Sequence, residues 1–497
     1  MANIGILLGT GYLADDVLYK LPWIKYLDKK HNVFVASRID PWIHVGETLK
    51  AVSGNRLYHD IKISVDELIR TVKSFDVLYK SPYLKKNFSS CEVEEMEKWL
   101  GYSFRYIATF DQAFYNKEKM VDSRDDRLII YCTGLTCYFK EFFTKNKIDV
   151  FITNLEDDIF SVTAYYVAKR LNIKIISLSS GRFPKKGFMF CEGFSGVCIW
   201  SEKSIDWDEI MSMYEESTIV GKETLDKNAR YYSLTSLFDR LRGINFAIQY
   251  RKFVNHITKH YQYEKYIIDC TNLWREIYKY LLKFYRRFMI RRLLKEPDYS
   301  DNYILFPLHF TDDAQITFLE PMLDQFKIIE NVSRALPTSC YLYVKPHPHY
   351  FGEDVSFKEL SKVSKLKNVK IINPMIPPAK LIKNSRGLIT INSTAGFEAI
   401  IAGVPVITLG HDFYCSDGLC RVIRDINDMP GALLEVMTGG KLDREKAMKF
   451  VKIVYANTIW FNGVSYDFGY YGITDEEGKQ LALALNKILD DYHTYKA

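Results

Sequence analysis

Two runs of sequence decide how this chain is read. Y-L-Y-V-K-P-H-P-H-Y occupies Tyr341–Tyr350, and G-L-I-T-I-N-S-T-A-G-F-E-A-I-I-A-G-V-P-V-I-T-L-G occupies Gly387–Gly410. Each opens as a short apolar strand and passes at its carboxyl end into polar residues suited to phosphate, which is where open α/β sheets place their ligands. The prolines at 346 and 348 stop both further sheet pairing and immediate helix formation, so His347 is expected in extended backbone, with Lys345 two residues earlier on the same face. A cation and an imidazole so placed suit a diphosphate or phosphodiester oxygen, and the histidine can protonate a leaving phosphate. Asn392-Ser393-Thr394-Ala395-Gly396 follows the strand 388–391 and opens a helix. Ser393 or Thr394 can cap it, and small residues at 395 and 396 would let an anion reach the unpaired backbone N–H groups. Glu398 either accepts hydrogen bonds from ribose hydroxyls or stabilises the helix N-terminus by its charge. Gly410–Tyr414, at the end of the strand 404–409, adds a third loop to the same edge.

Working outward, strands at 303–306, 341–344, 369–372, 388–391 and 404–409 alternate with short helices, including one expected over 315–327 and one over 396–402. Such alternation means a parallel sheet. His309 lies in the loop after its first strand. The N-terminal part reads as a second α/β domain, as 497 residues would suggest. Its first strand, 4–8, runs into Gly9-Thr10-Gly11-Tyr12-Leu13-Ala14, a G-x-G-x-x-A turn. The second, Asn32–Ser37, ends at Arg38 instead of the acidic residue that would hold an NAD ribose, so Gly9 and Gly11 are read as the first βα turn of a Rossmann-like domain. From 49 to 131 the pattern is mostly helical, with Val77-Leu78 one of its apolar clusters. Asp111 sits there among aromatics, either as a solvated or capping aspartate or as a group that orients an acceptor. A strand at 148–154, the turn Glu156-Asp157-Asp158, a helix at 159–171 and a strand at 174–178 form a βαβ unit that ends in Gly181-Arg182. One of the three carboxylates is enough to cap the helix, which leaves the others for chemistry.

Composition excludes several classes. Apolar residues make up 47% and charged residues 26%, the balance of a soluble globular chain, and a net charge of +6 without a polybasic tail gives no reason to expect nucleic acid. The nine cysteines show no C-x-x-C pair and no zinc spacing, which predicts free thiols in a reducing compartment. The N-terminus lacks the pattern of a signal peptide, and there is no apolar run long enough to span a bilayer. The expected location is the cytoplasm, with contact at the inner face of the plasma membrane as an extension of that reading. Its basis is the 279–295 segment, in which Lys and Arg are interleaved with Leu, Phe, Tyr and Ile at helical spacing. An interfacial helix on anionic lipid has that pattern, and so does a basic helix whose long stems cover an apolar face.

The expected organisation is residues 1–200 as a Rossmann-like acceptor domain and 201–300 as a helical, basic connection closed by Glu296-Pro297-Asp298-Tyr299-Ser300. Residues 301–440 follow as a Rossmann-like nucleotide-sugar domain, and 441–497 as C-terminal helices packing back on the first domain.

F-P-L-H-F (306–310), K-P-H-P (345–348), N-S-T-A-G-F-E-A (392–399), G-V-P-V-I-T-L-G (403–410) and Phe413-Tyr414, in that order, resemble the bacterial capsule polysaccharide biosynthesis proteins. That group includes Kdo transferases using CMP-Kdo, and its H-P and Ser/Thr motifs are similar to those of CMP-sialic acid transferases of the GT-B fold. The resemblance covers about 303 to 419. It implies an α/β GT-B protein, two Rossmann-like domains facing a central cleft, that moves a sugar such as Kdo or another acidic sugar from a CMP-type donor to a capsule, lipopolysaccharide or other surface glycan or glycolipid. Donor binding would fall to Lys345, His347, Pro348, Asn392, Ser393, Thr394, Gly396 and Glu398. The catalytic set would be His347 with a carboxylate of the N-terminal domain, for which Glu156, Asp157 and Asp158 are the positional candidates. Gly9, Gly11, Asp111, Arg182 and His309 would line the acceptor side or cleft. No metal or other cofactor is expected beyond the nucleotide-sugar co-substrate, since Asp206-Trp207-Asp208, the one D-x-D, sits in a charged helical segment. Three alternatives stay open: a nucleotide-sugar 2-epimerase of similar fold, a CDP-alcohol phosphotransferase, and a non-catalytic GT-B scaffold.

Overall fold

The computed structural model describes residues 1–8, 23–27, 29–38, 67–108, 126–153, 159–180, 187–193, 196–215, 282, 285–309, 316, 320, 323–348, 357–415, 418–439, 442–460 and 474–496. They form two compact α/β units. One is built from the chain up to Ser204 together with the residues from Ala456 onward, and the other from Ile205–Tyr455.

The sheet of the first unit contains β1 (Asn3–Leu8), β2 (Asn32–Ser37), β3 (Ser74–Val77), β4 (Val150–Thr153), β5 (Lys174–Ser180), β6 (Gly187–Glu192) and β7 (Gly196–Val197). A later strand, β15 (Thr458–Trp460), completes it, in the order β15-β6-β5-β4-β1-β2-β3 with β7 beside β6. Pairing is parallel from β3 to β5, with Ile4 opposite both Val33 and Val150, and antiparallel from β5 to β15. The continuous apolar runs in β1, β2 and β4 are those of strands covered on both faces. Ile4, Ile6, Val33, Val35, Val150 and Ile152 form the centre of the core. Leu481, Leu485 and Leu489, four residues apart on the Asp475–Lys496 helix, close it from one side. β3 corrects the helical reading of Val77. This four-residue strand is half-buried at the sheet's edge and pairs only with β2, too short for alternation to show in sequence.

The last helix is tied to the first unit by more than apolar contact. Ala2 N donates to His31 Nδ1 at 3.1 Å, which leaves Nε2 as the donor to Asn486 Oδ1 at 2.9 Å. Lys30 pairs with Asp490 at 2.6 Å, and Tyr26 Oη donates to Asp475 at 2.5 Å.

The second sheet contains β8 (Leu294–Lys295), β9 (Tyr303–Pro307), β10 (Tyr341–Lys345), β11 (Val369–Ile372), β12 (Gly387–Thr390), β13 (Val406–Thr408) and β14 (Cys420–Val422). All pairs are parallel, in the order β14-β13-β12-β9-β10-β11-β8. From β9 the chain builds outward through β10 and β11, then returns to the other side of β9 for β12 to β14. The topological switch therefore falls between β9 and β12. Two expectations are corrected here. The sheet reaches back across the Glu296–Ser300 boundary, because Leu294 and Lys295 pair with Ile371 and Ile372, and the basic helix ends by residue 291. The helix expected over 315–327 does not extend through 323–324, because a new one, Gln325–Ala335, starts under an N-cap by Asp324, whose carboxylate accepts from Phe326 N and Lys327 N.

Burial holds the pKa of His31 below its ordinary value, with the Asn486 bond opposing the shift. A neutral imidazole in the folded state stabilises fully above about pH 6.5, and that contribution is lost as pH falls through the folded value. Unfolding free energy should therefore fall between pH 7 and pH 5 in the wild type. His31→Gln should flatten that fall by up to about 1.4 kcal/mol per pH unit, as measured by urea unfolding across the range.

Candidate nucleotide site

Parallel pairing brings the carboxyl ends of all seven strands of the second unit to one edge, and the loops after β9 and β12 flank the switch point, the ligand position of open α/β sheets. A hydrogen bond joins those two loops: Asn392 N donates to His309 Nε2 at 3.3 Å. Both residues are buried. His309 is held in turn by Gln325, whose Oε1 accepts from His309 N at 2.9 Å and whose Nε2 donates to His309 O at 3.2 Å. Gln325 carried no sequence signal, since its role depends on where the Asp324 cap starts the helix.

Thr390 Oγ1 accepts from Ser393 N at 2.9 Å, and Ser393 Oγ caps the Thr394–Ile401 helix by accepting from Ala395 N at 3.2 Å. Ser393, Thr394 and Glu398 are half-buried. The cradle differs at Gly396. Its N–H is bonded to Ser393 O at 2.9 Å, and a Cβ placed there would lie 2.5 Å from Tyr414 Oη and 2.6 Å from Tyr414 Cζ. Tyr414 Oη also donates to Ser393 O at 2.7 Å. The glycine thus admits a phenol ring, not a phosphate, which corrects the reading of Gly396 as an anion cradle. Gly410 is similarly constrained, since a Cβ there would lie 2.1 Å from Asn392 Oδ1, so the loop after β13 packs directly on the loop after β12. Arg424 Nη1 donates to Gly410 O at 3.2 Å and braces this third loop from the end of β14.

Lys345, the last residue of β10, is buried, and its ammonium donates to Pro374 O at 2.9 Å. Burial pushes its pKa down to about 8, against the pull of the Glu398 carboxylate. It remains mainly charged at neutral pH, with donor capacity left over after one carbonyl. His347 and Pro348 follow it in half-buried positions at the same edge. Glu398 acts on a second neighbour as well: burial raises the pKa of the Tyr214 phenol, and the Glu398 charge raises it further. Tyr214 belongs to the helix at 207–215, which begins within the Asp206-Trp207-Asp208 triplet. A further pair, His411 Nδ1 and Glu320 Oε1, is 2.7 Å apart. Neither residue stood out in sequence, because the two are 91 positions apart.

The second unit therefore gathers Lys345, His347, Pro348, Asn392, Ser393, Thr394, Glu398 and His309 at one sheet edge. Gly9, Gly11, Asp111, Glu156, Asp157, Asp158 and Arg182 lie outside the described residues. Gly9 and Glu156 follow β1 and β4, the adjacent strands at the switch point of the first sheet. Among the described residues no three His, Cys, Asp or Glu side chains are gathered closely enough to hold a metal ion.

The family model described as "Capsule polysaccharide biosynthesis protein" matches residues 226–425, which contain every strand of the second sheet. Over that stretch the chain is similar to this family. The chain is 32% identical over 153 residues to the capsule polysaccharide export protein KpsS of Escherichia coli, covering 29% of this chain and 38% of that protein. Protein FixF of Sinorhizobium fredii is 26% identical over 169 residues, 33% of this chain and 40% of FixF. The chain thus spans about two fifths of the curated relatives it matches. Among solved structures, the beta Kdo 2,7 transferase of Thermosulfurimonas dismutans KpsC aligns over 80% of this chain and 96% of its own, at 15% identity and a TM-score of 0.27. A UDP-GlcNAc 2-epimerase from Neisseria meningitidis aligns over 99% and 100%, at 10% identity and a TM-score of 0.25. Scores of this size do not separate a transferase from an epimerase.

Two outcomes are expected for the second unit. Gly396→Ala should destabilise by about 1–3 kcal/mol through the clash with Tyr414, and by clearly less when combined with Tyr414→Ala, as seen in thermal unfolding of the four-member cycle. Because the folded pKa of Lys345 is depressed to about 8, the unfolded chain binds more protons between about pH 8 and 10.5, so stability contributed at this site rises across that window. The rise should be absent in Lys345→Met, a difference of up to about 1.4 kcal/mol per pH unit when the two unfolding profiles are subtracted.

Proposed function

We propose that this protein is a glycosyltransferase whose second unit holds the nucleotide of a CMP-type sugar donor. The sugar transferred is Kdo or another acidic sugar, and the acceptor is a capsule, lipopolysaccharide or related surface glycan. The observation that carries the reading is the joining of the β9 and β12 loops by His309 and Asn392 at the switch point, beside a capped helix N-terminus and a buried, charged lysine. The match of residues 226–425 to a capsule polysaccharide biosynthesis family supports the same reading.

In this mechanism the donor phosphate lies over Ser393 and Thr394, where the helix dipole and the hydroxyls favour negative charge. Lys345 adds a fixed cation beneath it, and His347 donates a proton or hydrogen bond to the departing phosphate oxygen. Glu398 takes the ribose hydroxyls. A carboxylate of the first unit, among Glu156, Asp157 and Asp158, deprotonates the acceptor hydroxyl or stabilises the oxocarbenium-like sugar. The phosphate is stabilised by protein charge and dipoles, so the reading requires no divalent cation.

The test is a thermal-shift series with CMP, CDP, UDP and GDP. CMP at about a hundredfold its dissociation constant should stabilise by about 2.7 kcal/mol. His347→Ala and Glu398→Ala should abolish the shift. A preference for UDP, together with epimer formation from donor alone, would replace the transferase with an epimerase. A product that gains phosphorus would replace it with a phosphotransferase, and indifference to every nucleotide would leave a scaffold.

A further inference from the structure

The segment from Lys279 to Lys295 contains seven Lys and Arg residues and no Asp or Glu. Its described part is a helix over 285–291 that leads into β8. Ile290 is 0% exposed in the core of the second unit, and Leu293 and Leu294 pack against the same core. Leu293 N donates to Ile290 O at 2.8 Å where the helix closes. Ile290, Leu293 and Leu294 are thus used by the fold itself and are not available to a partner.

The aromatic residues are disposed differently. Tyr285 and Phe288, three apart and so on one face of the helix, are 57% and 51% exposed. Arg292 lies one turn beyond Phe288, with its guanidinium 4.6 Å from the ring centroid. Arg291, Arg292 and Lys295 are all exposed. Lys295 lies on β8, the edge strand of the second sheet. The nearest acid in sequence, Glu296, accepts from Asn373 Nδ2 at 3.0 Å. Two large rings in solvent beside three exposed cations form a surface of one chemical type: exposed aromatic bodies of the kind enriched at membrane interfaces, and guanidinium forks that match phosphate.

We propose that the face formed by Tyr285, Phe288, Arg291, Arg292 and Lys295 docks on an anionic phospholipid bilayer. The rings seat at headgroup level and the arginines pair with lipid phosphates, so that the helix lies on the membrane without crossing it. Charge complementarity selects the occupant, since the five described side chains of this face are cations and aromatics, and a leaflet rich in anionic lipid offers the matching phosphates. Among the described residues no helix is long and apolar enough to cross a membrane, which accords with surface contact. The inference is independent of the proposed transferase activity.

The experiment is co-sedimentation of the full-length chain with vesicles of phosphatidylcholine alone or mixed with phosphatidylglycerol, at low and high salt. Binding should require phosphatidylglycerol and weaken with salt. Arg291→Glu with Arg292→Glu should reduce it at least about tenfold, given the contribution of each basic residue near a charged surface. Tyr285→Ser with Phe288→Ser should reduce the fraction that survives high salt. All four positions are exposed, and an unchanged circular dichroism spectrum and melting temperature would establish that the variants fold. Equal binding to neutral vesicles, wild-type binding by the folded arginine variant, or no binding by the wild type would each overturn the proposal.

Discussion

Parallel pairing is the constraint on which the second unit depends. Every strand from β8 to β14 runs the same way, so seven loops that are far apart in sequence emerge on one edge. The order of the strands then determines which loops are neighbours. Pro307–His309 and Ile391–Ser393 are more than eighty residues apart, yet β9 and β12 lie side by side, and the Asn392 to His309 hydrogen bond spans the gap. The remaining features secure that junction. Gln325 fixes the His309 backbone, Thr390 and Tyr414 fix Ser393, and Gly410 allows the next loop to close against Asn392.

Much of this edge was legible in the sequence, for a physical reason. A buried parallel strand is a short apolar run, and β9 to β13 each end where that run meets proline, histidine, asparagine or glycine. The cap at Ser393 was legible because capping is local. The placement of His309, His347, Asn392 and Ser393 along that edge was also legible, since each lies just after a strand. The exceptions were set by distant residues. Gly396 read as open space for an anion because a glycine in sequence says only that a side chain is missing, and Tyr414, which fills the space, comes 18 positions later. His411 and Glu320 pair across two loops, and Lys345 turns to a carbonyl beyond β11. None of these partners is specified by spacing.

Short edge strands were the other blind spot. β3 has four residues and β8 two, and each is defined by a neighbour's free edge more than by its own pattern. The stretch containing β8 is so rich in basic and apolar residues that its helical periodicity runs on in the sequence, although Leu294 and Lys295 have already joined β11. The consequence reaches the surface as well. With Ile290 buried in the core and Leu293 and Leu294 packed against it, Tyr285, Phe288, Arg291, Arg292 and Lys295 are the side chains left exposed.

The first unit is discontinuous in sequence: β15 and the Asp475–Lys496 helix belong to it, although the whole of Ile205–Tyr455 intervenes. Domains form as chain emerges from the ribosome, N-terminal parts first. Here the order is inverted. The second unit has all of its strands once residue 422 has emerged, whereas the first still lacks one edge strand and the apolar face carried by Leu481, Leu485 and Leu489. Until those arrive, β6 presents an unpaired edge and the core around Ile4 and Val150 stays partly open to water. The unit that holds β1 can be completed only after the whole of Ile205–Tyr455 has been synthesised.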